Sequence, residues 1–208
     1  MEAKKFSLTF LFIKTFMIYY FSPYSLEGNL GKAYNDYCKL VPDDAWICLI
    51  DGDVLFLHNE WGKHFQDLVN KYPDTGLFTT FTNRVGNLNQ CFQDMLSENS
   101  DLIYHRKLAL QLQKERYLDI KELNEIISGH IMLFSKKTWQ EIGGFPEELS
   151  EKFKQKFSAN IATVDNRFSN RVLKAGKKIL LAQGIYALHY YRLCEGRAYR
   201  DHLGLIKK

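Results

Sequence analysis

Cysteine is scarce in this chain, which has four among 208 residues, at positions 38, 48, 91 and 194. Their spacing contains none of the close pairs that zinc modules and disulfide frameworks use, so the sequence predicts neither. A reducing cytoplasm is the compartment that this pattern favours. Internal repeats and low-complexity tracts are also missing, and a hydrophobic content of 46% is too high for a disordered protein.

A strong excess of one charge is missing as well. The 28 lysines and arginines against 24 acidic residues leave a net charge of +4. So mild a balance does not predict a nucleic-acid partner, although it suits anionic ligands or an acidic membrane surface. The length is sufficient for one well-buried domain and rather short for two, so we expect a single domain.

We expect neither a membrane span nor a secretion signal in the N-terminal region. Residues 6–21 are strongly apolar, but Lys14 interrupts them, and no small-residue cleavage pattern follows before Ser22 and Pro23. The pattern therefore favours neither targeting function, and the last residues of the segment are interpreted as a buried strand.

The division of the chain follows from the position of that strand. Met17 is a candidate native start, because the apolar residues that follow it make a complete strand alone. We therefore expect residues 1–16 to be an N-terminal extension and residues 17–195 to be the folded domain. Residues 196–208 are expected to form a basic C-terminal tail.

What the chain has instead is an apolar strand that ends in two carboxylates. Residues 45–50 carry no charge and are mostly large and apolar, which is typical of a strand buried on both faces of a sheet. Asp51 and Asp53 follow it and point the same way, because side chains alternate along an extended backbone. Gly52 leaves room for a group to approach the main chain. Since ligands of open α/β sheets bind beyond the carboxyl ends of strands, the pair predicts a metal site that can bridge to phosphate.

A simpler interpretation of an isolated Asp-Gly-Asp is a tight turn, because Asp-Gly is a common hairpin dipeptide. The apolar strand in front of it favours the functional interpretation. An EF-hand loop is excluded, because Leu55 and Phe56 stand where that loop needs an oxygen ligand and a glycine.

Helical and strand patterns alternate along the rest of the chain. Residues 29–41 place apolar side chains on one helical face, and residues 88–123 are expected to be helical and polar. Two strands, 179–182 and 185–191, are expected around a Gln-Gly pair. Strands separated by helices favour an α/β domain with a mixed, largely parallel central sheet flanked by helices.

Four short blocks occur in a fixed order between positions 29 and 192. They are Asn-Leu-Gly-Lys-Ala-Tyr-Asn at 29–35, Asp-Gly-Asp at 51–53, Ser-Gly-His at 128–130 with Gly-Gly-Phe-Pro-Glu at 143–147, and Val-Asp-Asn at 164–166 with His-Tyr-Tyr-Arg at 189–192. Together these blocks resemble a GT-A-fold glycosyltransferase of the inverting family-two type. The resemblance implies a single GT-A-like, Rossmann-like domain that transfers a sugar from a nucleotide-diphosphate sugar.

The resemblance also implies a role for each matching residue. Asp53, with Asp51 and His189, would bind Mn²⁺ or Mg²⁺ on the donor diphosphate, and Asp165 would remove the proton from the acceptor hydroxyl. The acceptor is expected to be a glycan or a lipid-linked molecule, bound beside the helices of residues 88–123. The expected donor-binding residues are Tyr20, Ser22, Pro23, Asn29, Lys32, Asn35, Asp51, Gly129, Gly144 and Arg192.

Simpler roles stay open for some of these residues. His189 fits a buried core histidine equally well, Asp165 fits a helix N-cap, and Arg192 fits a surface residue. Trp139 is the best candidate among the tryptophans for stacking on a sugar, but core packing is favoured for all three.

The sequence departs from the family pattern in its first third. About thirty residues separate Phe21 from Asp51, the length of a single βαβ unit, where family members have two further strands and a helix that build the nucleotide-base pocket. Pro146 and Val164 replace acidic residues of the family pattern.

Two alternative functions stay open because of these departures. One is a degenerate GT-A domain that binds a nucleotide or a glycan without turnover. The other is a nucleotidyltransferase, which the sequence favours less, because residues 21–28 contain no Lys or Arg and so lack a basic phosphate-binding loop.

The chain is basic and aromatic after Tyr190. Arg192, Arg197 and Arg200 can fold over a diphosphate, contact anionic lipid near a membrane-bound acceptor, or remain solvated, and the solvated state is favoured. We expect a cytoplasmic protein with a candidate peripheral contact at the inner membrane face, and no nucleic-acid partner.

Overall fold

The computed structural model describes residues 16–25, 29–147 and 164–190. Arg192, the tail at 196–208 and residues 1–15 of the expected extension lie outside the described residues. Phe16, the last residue assigned to that extension, packs edge-on against Trp46 with 6.4 Å between ring centroids. Contacts with the core therefore begin at least one residue before Met17.

Seven strands and five helices follow one another along these residues. The strands are β1 Ile18–Phe21, β2 Trp46–Ile50, β3 Val54–Phe56, β4 Leu77–Thr82, β5 Ile120–Leu123, β6 Ile131–Ser135 and β7 Ile179–His189. The helices are α1 Leu30–Leu40, α2 Trp61–Lys71, α3 Leu102–Arg116, α4 Lys136–Glu141 and α5 Val164–Lys174. Two short 3₁₀ turns lie at Leu88–Gln90 and Phe92–Asp94.

All seven described strands join one mixed sheet. Its order is β1-β2-β6-β4-β7-β3, and β5 pairs with β7 outside this path. β1, β2, β4 and β7 run in one direction, because β1 is parallel to β2, β4 is parallel to β7, and β6 lies antiparallel between β2 and β4. The carboxyl ends of these four strands therefore meet at one edge, where ligands bind in open α/β sheets.

Helices cover both faces of the sheet. Alternate residues of β2 explain this arrangement, since Ile47 and Leu49 pack in one core cluster with α1, α3 and α5, whereas Trp46 and Cys48 pack in a second cluster with α2. β2 is thus buried on both faces, as its apolar sequence predicts. The predicted α/β fold with a mixed sheet flanked by helices is confirmed, and it is compatible with a Rossmann-like architecture.

The second half of the fold corrects two expectations. The two strands expected near the C-terminus are one strand, β7, because β4 pairs with both halves of it and the register shifts between Thr80 and Phe81. Gln183 and Gly184 therefore lie in a bulge and not in a turn. Residues 88–123 are not helical throughout: β5 lies in this segment because it pairs antiparallel with the first half of β7.

Capping residues lie at several helix ends where the sequence predicts a helix boundary. Asn29 Oδ1 accepts a hydrogen bond of 3.0 Å from the Lys32 amide at the start of α1, and Asp101 caps α3 in the same way. Gly176 follows α5 with a φ of +69°, a conformation that favours glycine at a helix C-terminus. Among the described residues, no helix combines the length and the apolar composition needed to cross a membrane.

The bulge of β7 packs tightly against α2 and the end of α3. A Cβ atom on Gly184 would lie 2.7 Å from the carbonyl oxygen of Tyr117, so a larger residue does not fit. The fully buried His64 ring lies at the same place, and its Nε2 hydrogen-bonds the Tyr117 carbonyl. Because that oxygen is an acceptor, Nε2 carries the proton. Burial lowers the pKa of His64 to about 4, so the ring is neutral at pH 7.

Acid is expected to destabilise the fold through His64. An unfolded histidine has a pKa near 6.5, so between pH 6.5 and about 4 the unfolded chain binds a proton that the folded chain does not. Stability should be unaffected by this group above pH 6.5 and should fall by up to about 3 kcal/mol at pH 4. Urea unfolding at pH 7.5 and pH 4.5 measures the loss.

The matched variant is His64→Gln, whose side-chain amide can still donate to the Tyr117 carbonyl but does not titrate. It should lose less stability than the wild-type protein over the same interval. Some loss should persist because burial lowers the pKa of His130 to about 3 as well. Equal losses in the variant and the wild-type protein would exclude His64 as the origin.

Candidate metal centre

The Asp-Gly-Asp segment forms a turn at the carboxyl end of β2. The Val54 amide donates to the Asp51 carbonyl over 3.1 Å, and the Asp51 amide donates to the His130 carbonyl over 3.0 Å. β3 then pairs with β7 and not with β2, so the turn does not close a hairpin. The segment is therefore both a turn and the connection that brings its carboxylates to β7.

Asp51, Asp53 and His189 converge at this edge of the sheet. The β3–β7 ladder places Val54 opposite His189, and the Tyr190 amide donates to the Asp53 carbonyl over 2.8 Å. His189 Nε2 lies 3.3 Å from Asp53 Oδ1 and 3.8 Å from Asp51 Oδ2. One potential ligand atom from each of the three side chains lies within 4.8 Å of the other two.

Two residues directly after β4, Asn83 and Arg84, hold His189 in place. Its Nδ1 lies 3.1 Å from the Arg84 carbonyl, and its amide donates to Asn83 Oδ1 over 2.8 Å. A carbonyl can only accept, so Nδ1 carries a proton and Nε2 faces the two carboxylates. When Nε2 has no proton, its lone pair points where a metal ligand needs it, an arrangement common for metal-binding histidines.

The three groups fit a divalent ion of moderate hardness. Two carboxylates suit Mg²⁺ and Mn²⁺, and an imidazole nitrogen favours Mn²⁺ of the two. For an ion about 2.1 Å from each ligand in octahedral geometry, adjacent ligand atoms lie about 3 Å apart, which is close to the spacing between Asp53 and His189. The three side chains therefore form a possible site for a divalent ion, and Mn²⁺ or Mg²⁺ stays a prediction.

The two carboxylates titrate differently. Burial, supported by the negative charges of Asp165 and Asp53, raises the pKa of Asp51 to about 7 against the opposing effect of His189. The hydrogen bond from His189 lowers the pKa of Asp53. Asp53 is therefore ionised under all mild conditions, whereas Asp51 takes up a proton near neutral pH unless a cation lies beside it.

Helix α5 brings a third carboxylate to the site. Asp165 lies in the first turn of α5, after Val164, and its Oδ2 accepts a hydrogen bond of 2.6 Å from the Gly129 amide. A Cβ atom on Gly129 would lie 2.5 Å from the Asp165 Cβ, so this approach requires glycine. The charge of Asp165 acts on Asp51, which is consistent with the predicted position of Asp165 beside the metal ligands.

The loop that carries Gly129 is fixed on both sides. The Ser128 amide donates to Gln90 Oε1 over 2.7 Å, and Gln90 Nε2 donates back to the Ser128 carbonyl over 3.0 Å. From α5, Asn166 Nδ2 donates to the Ile127 carbonyl over 2.8 Å. These bonds hold the Gly129 amide, and with it Asp165, in place.

Four site residues have no role in the sequence-based prediction. Asn83 and Arg84 orient His189, and their signal is their position directly after β4, at the ligand-binding edge. The His130 ring is buried 6.0 Å from that of His189, and its Nε2 contacts Thr80 Oγ1 over 3.2 Å. Tyr34 is buried, and burial together with the charges of Asp51 and Asp165 raises its pKa.

Asn35 has a different role from the predicted one. Its Oδ1 accepts from the Phe145 amide over 2.8 Å and from Trp139 Nε1 over 2.9 Å, and its Nδ2 donates to the Phe145 carbonyl and to Glu147. The side chain is buried and joins α1 to the 143–147 turn, so no group of it is left for a donor phosphate. The same bond anchors Trp139, which is partly buried and packs against the core.

Two further residues of the predicted donor site have structural roles. Gly144 has a φ of +67°, and a Cβ atom there would lie 2.8 Å from Asn35 Oδ1. Asn29 caps α1. Gly144 and Asn29 thus stabilise the backbone of the 143–147 turn and the start of α1.

The predicted base-binding residues do not form one surface. The Tyr20 ring packs against Trp61 at 5.1 Å between centroids, on the α2 side of the sheet and away from Tyr34. Ser22 lies beside the turn, because a Cβ atom on Gly52 would be 3.6 Å from its Oγ. Pro23 follows it and is half-buried, and Lys32 lies exposed on α1 with its Nζ 2.6 Å from Asp36.

A cavity of about 320 Å³ lies next to the metal centre. Phe92, Met95, Tyr104 and Tyr186 are among its lining residues, which come from the 3₁₀ turns, α3 and β7. Asn83 also lines it, and its Nδ2 has no hydrogen-bond partner in the described part of the chain. Asn83 therefore contacts both the cavity and the main chain of His189.

Neither a protein-family model nor a curated protein sequence matches this chain. The geometry of the site is therefore the basis for inferring its function.

Mn²⁺ is expected to stabilise the protein through this centre. Thermal unfolding with added Mn²⁺ should show a higher midpoint for the wild-type chain, because only the folded state places the three ligands together. Asp53→Asn should lose the shift. Asp74→Asn, which changes an exposed carboxylate at the opposite edge of the sheet, should keep it.

The shift should also depend on pH. Because the pKa of Asp51 is about 7, Mn²⁺ must displace a proton from Asp51 below that value, so the stabilisation should decrease from pH 8 to pH 6. An Mn²⁺ shift that is equal in Asp53→Asn and the wild-type protein would place the ion elsewhere.

Proposed function

We propose that the chain is a metal-dependent glycosyltransferase with a GT-A-like domain. It transfers a sugar from a nucleotide-diphosphate sugar to a hydroxyl of a glycan or of a lipid-linked acceptor. The observation that carries this proposal is the pairing of two chemical groups at one edge of the sheet: the Asp51, Asp53 and His189 ligand set, and the separate carboxylate of Asp165 beside it.

The ligand set suits the donor diphosphate. Asp51, Asp53 and His189 would hold a divalent ion that, when bound, offsets the charge developing on the leaving nucleoside diphosphate. Three protein ligands leave coordination positions for phosphate oxygens. The Arg84 carbonyl keeps Nε2 of His189 directed at the two carboxylates, so the ring is already oriented before an ion binds.

Asp165 supplies the general base. The Gly129 amide positions the carboxylate through Oδ2, and the carboxylate would accept the proton of an acceptor hydroxyl. The deprotonated oxygen attacks the anomeric carbon as the bond from that carbon to the diphosphate oxygen breaks. The proton ends on Asp165, the nucleoside diphosphate leaves, and attack from the face opposite the leaving group inverts the anomeric carbon.

The cavity beside Asn83 suits the acceptor. It combines aromatic walls, Tyr104 and Tyr186, with polar lining residues such as Gln93 and Ser97, and sugars bind such mixtures of rings and polar groups. Its position between the 3₁₀ turns and α3 is where the sequence predicts the acceptor side.

The alternative is a domain of this type that binds a nucleotide without turnover. One observation favours it: a single helix, α1, connects β1 to β2, and Tyr20 packs beneath α2, so little of the chain is left to surround a nucleotide base. Weak or absent donor turnover is the property that separates the two functions.

Release of nucleoside diphosphate from a panel of sugar nucleotides with Mn²⁺ tests the proposal. The wild-type chain should turn over at least one donor, and Asp165→Asn should reduce that rate by about 10²–10⁴-fold, the usual contribution of a general base. Asp165→Asn should still bind the diphosphate in calorimetry with Mn²⁺. Metal-dependent binding by a wild-type chain that turns over no donor would support the alternative instead.

A second variant pair tests the positioning of Asp165. Gly129→Ala should lower turnover strongly with less effect on diphosphate binding, because the new Cβ displaces Asp165. Gly86→Ala is the control, since its Cβ would make only an ordinary contact of 3.4 Å with Ser128 Oγ. Equal activity of the two variants would contradict the assigned role of Asp165.

A further inference from the structure

Helix α3 is apolar on two opposite faces. Leu108, Ala109 and Leu112 are buried against the sheet, as expected for a helix that covers β7. On the other side, Ile103 and Leu110 are 66% and 45% exposed. A surface helix normally presents polar residues to water, so a second apolar face indicates a second partner.

Basic residues are interleaved with these exposed apolar ones. Positions 103, 107, 110 and 114 recur every three or four residues and share one side of the helix, so Lys107 and Lys114 alternate there with Ile103 and Leu110. Arg106 flanks this stripe. All three cations are exposed, and within the described ranges none of them forms an ion pair. We call this surface, Ile103, Arg106, Lys107, Leu110 and Lys114, the α3 outer face.

Exposed apolar side chains extend from the α3 outer face toward the cavity. Leu102, Tyr104 and Met95 are 49%, 44% and 61% exposed, and the last two line the cavity. The patch therefore ends at the cavity, which Asn83 also lines.

We propose that the α3 outer face docks on the surface of an anionic lipid bilayer. The face combines the two attractions that hold a helix in the plane of a membrane interface: apolar side chains that enter the boundary of the acyl chains, and lysines and arginines that reach phosphate headgroups. Within the described ranges these exposed cations form no ion pair, so they are available to anionic headgroups. A bilayer supplies both the apolar layer and the negative charge over the whole length of α3.

This docking deepens the proposed function and rests on it in one respect. If the chain transfers sugar, the cavity beside α3 opens near the headgroup level, where the polar end of a lipid-linked acceptor lies. The docking itself requires no catalysis, so it is measured without donor or metal.

Co-sedimentation of the full chain with vesicles tests the docking. Vesicles of phosphatidylcholine with phosphatidylglycerol should bind the protein, and pure phosphatidylcholine vesicles should bind it far less. The double variant Lys107→Glu and Lys114→Glu should weaken binding by at least about tenfold, since each basic residue near an anionic surface contributes several-fold. Ile103→Gln with Leu110→Gln should also weaken binding. Because this variant keeps the cations, its remaining binding should still decrease when the salt concentration is raised.

Matched controls separate this face from other basic surfaces. Lys39→Glu with Lys137→Glu makes the same change in net charge on α1 and α4 and should leave vesicle binding nearly unchanged. Thermal unfolding should show that all variants fold. Binding that is lost on neutralising Arg197 and Arg200 in the full chain, but kept in both α3 variants, would overturn the proposal. So would a vesicle-free dimer that depends on Ile103 and Leu110, because the partner would then be a second copy of the chain.

Discussion

The burial of Asp51 beside two other carboxylates is the constraint on which this structure depends. Asp51, Asp53 and Asp165 come from three separate segments and meet at one edge of the sheet, where burial and like charge raise the pKa of Asp51 to about 7. Only His189 opposes this repulsion within the ligand set. A bound divalent cation would remove the conflict, so the arrangement is consistent with a centre that is complete only when a metal occupies it.

The rest of the fold holds these groups where they repel each other. The crossing from β2 to β3 carries Asp53 to β7, the Arg84 carbonyl after β4 orients His189, and a glycine admits Asp165 to the loop before β6. These supports act through main-chain geometry, which explains why glycines and backbone carbonyls are as important to the centre as its charged side chains.

Structural features that follow from a local pattern could be predicted from the sequence. The strand that ends before Asp51 and Asp53 is an example, because an apolar run bounded by two carboxylates needs no knowledge of distant contacts. The role of Asn35 could not be predicted, since it depends on a turn more than a hundred residues away. The continuity of β7 could not be predicted for the same reason. A Gln-Gly pair is typical of a turn, and only the pairing of β4 with both halves of β7 shows that the strand continues through a bulge.

Pulsed electron paramagnetic resonance of Mn²⁺ bound to the full chain tests the central claim most directly. If Asp51, Asp53 and His189 hold one ion, the spectrum should contain the coupling of a single directly bound imidazole nitrogen, and His189→Gln should lose it. A bound Mn²⁺ with no nitrogen coupling, or a coupling that persists in His189→Gln, would contradict the assignment of this centre.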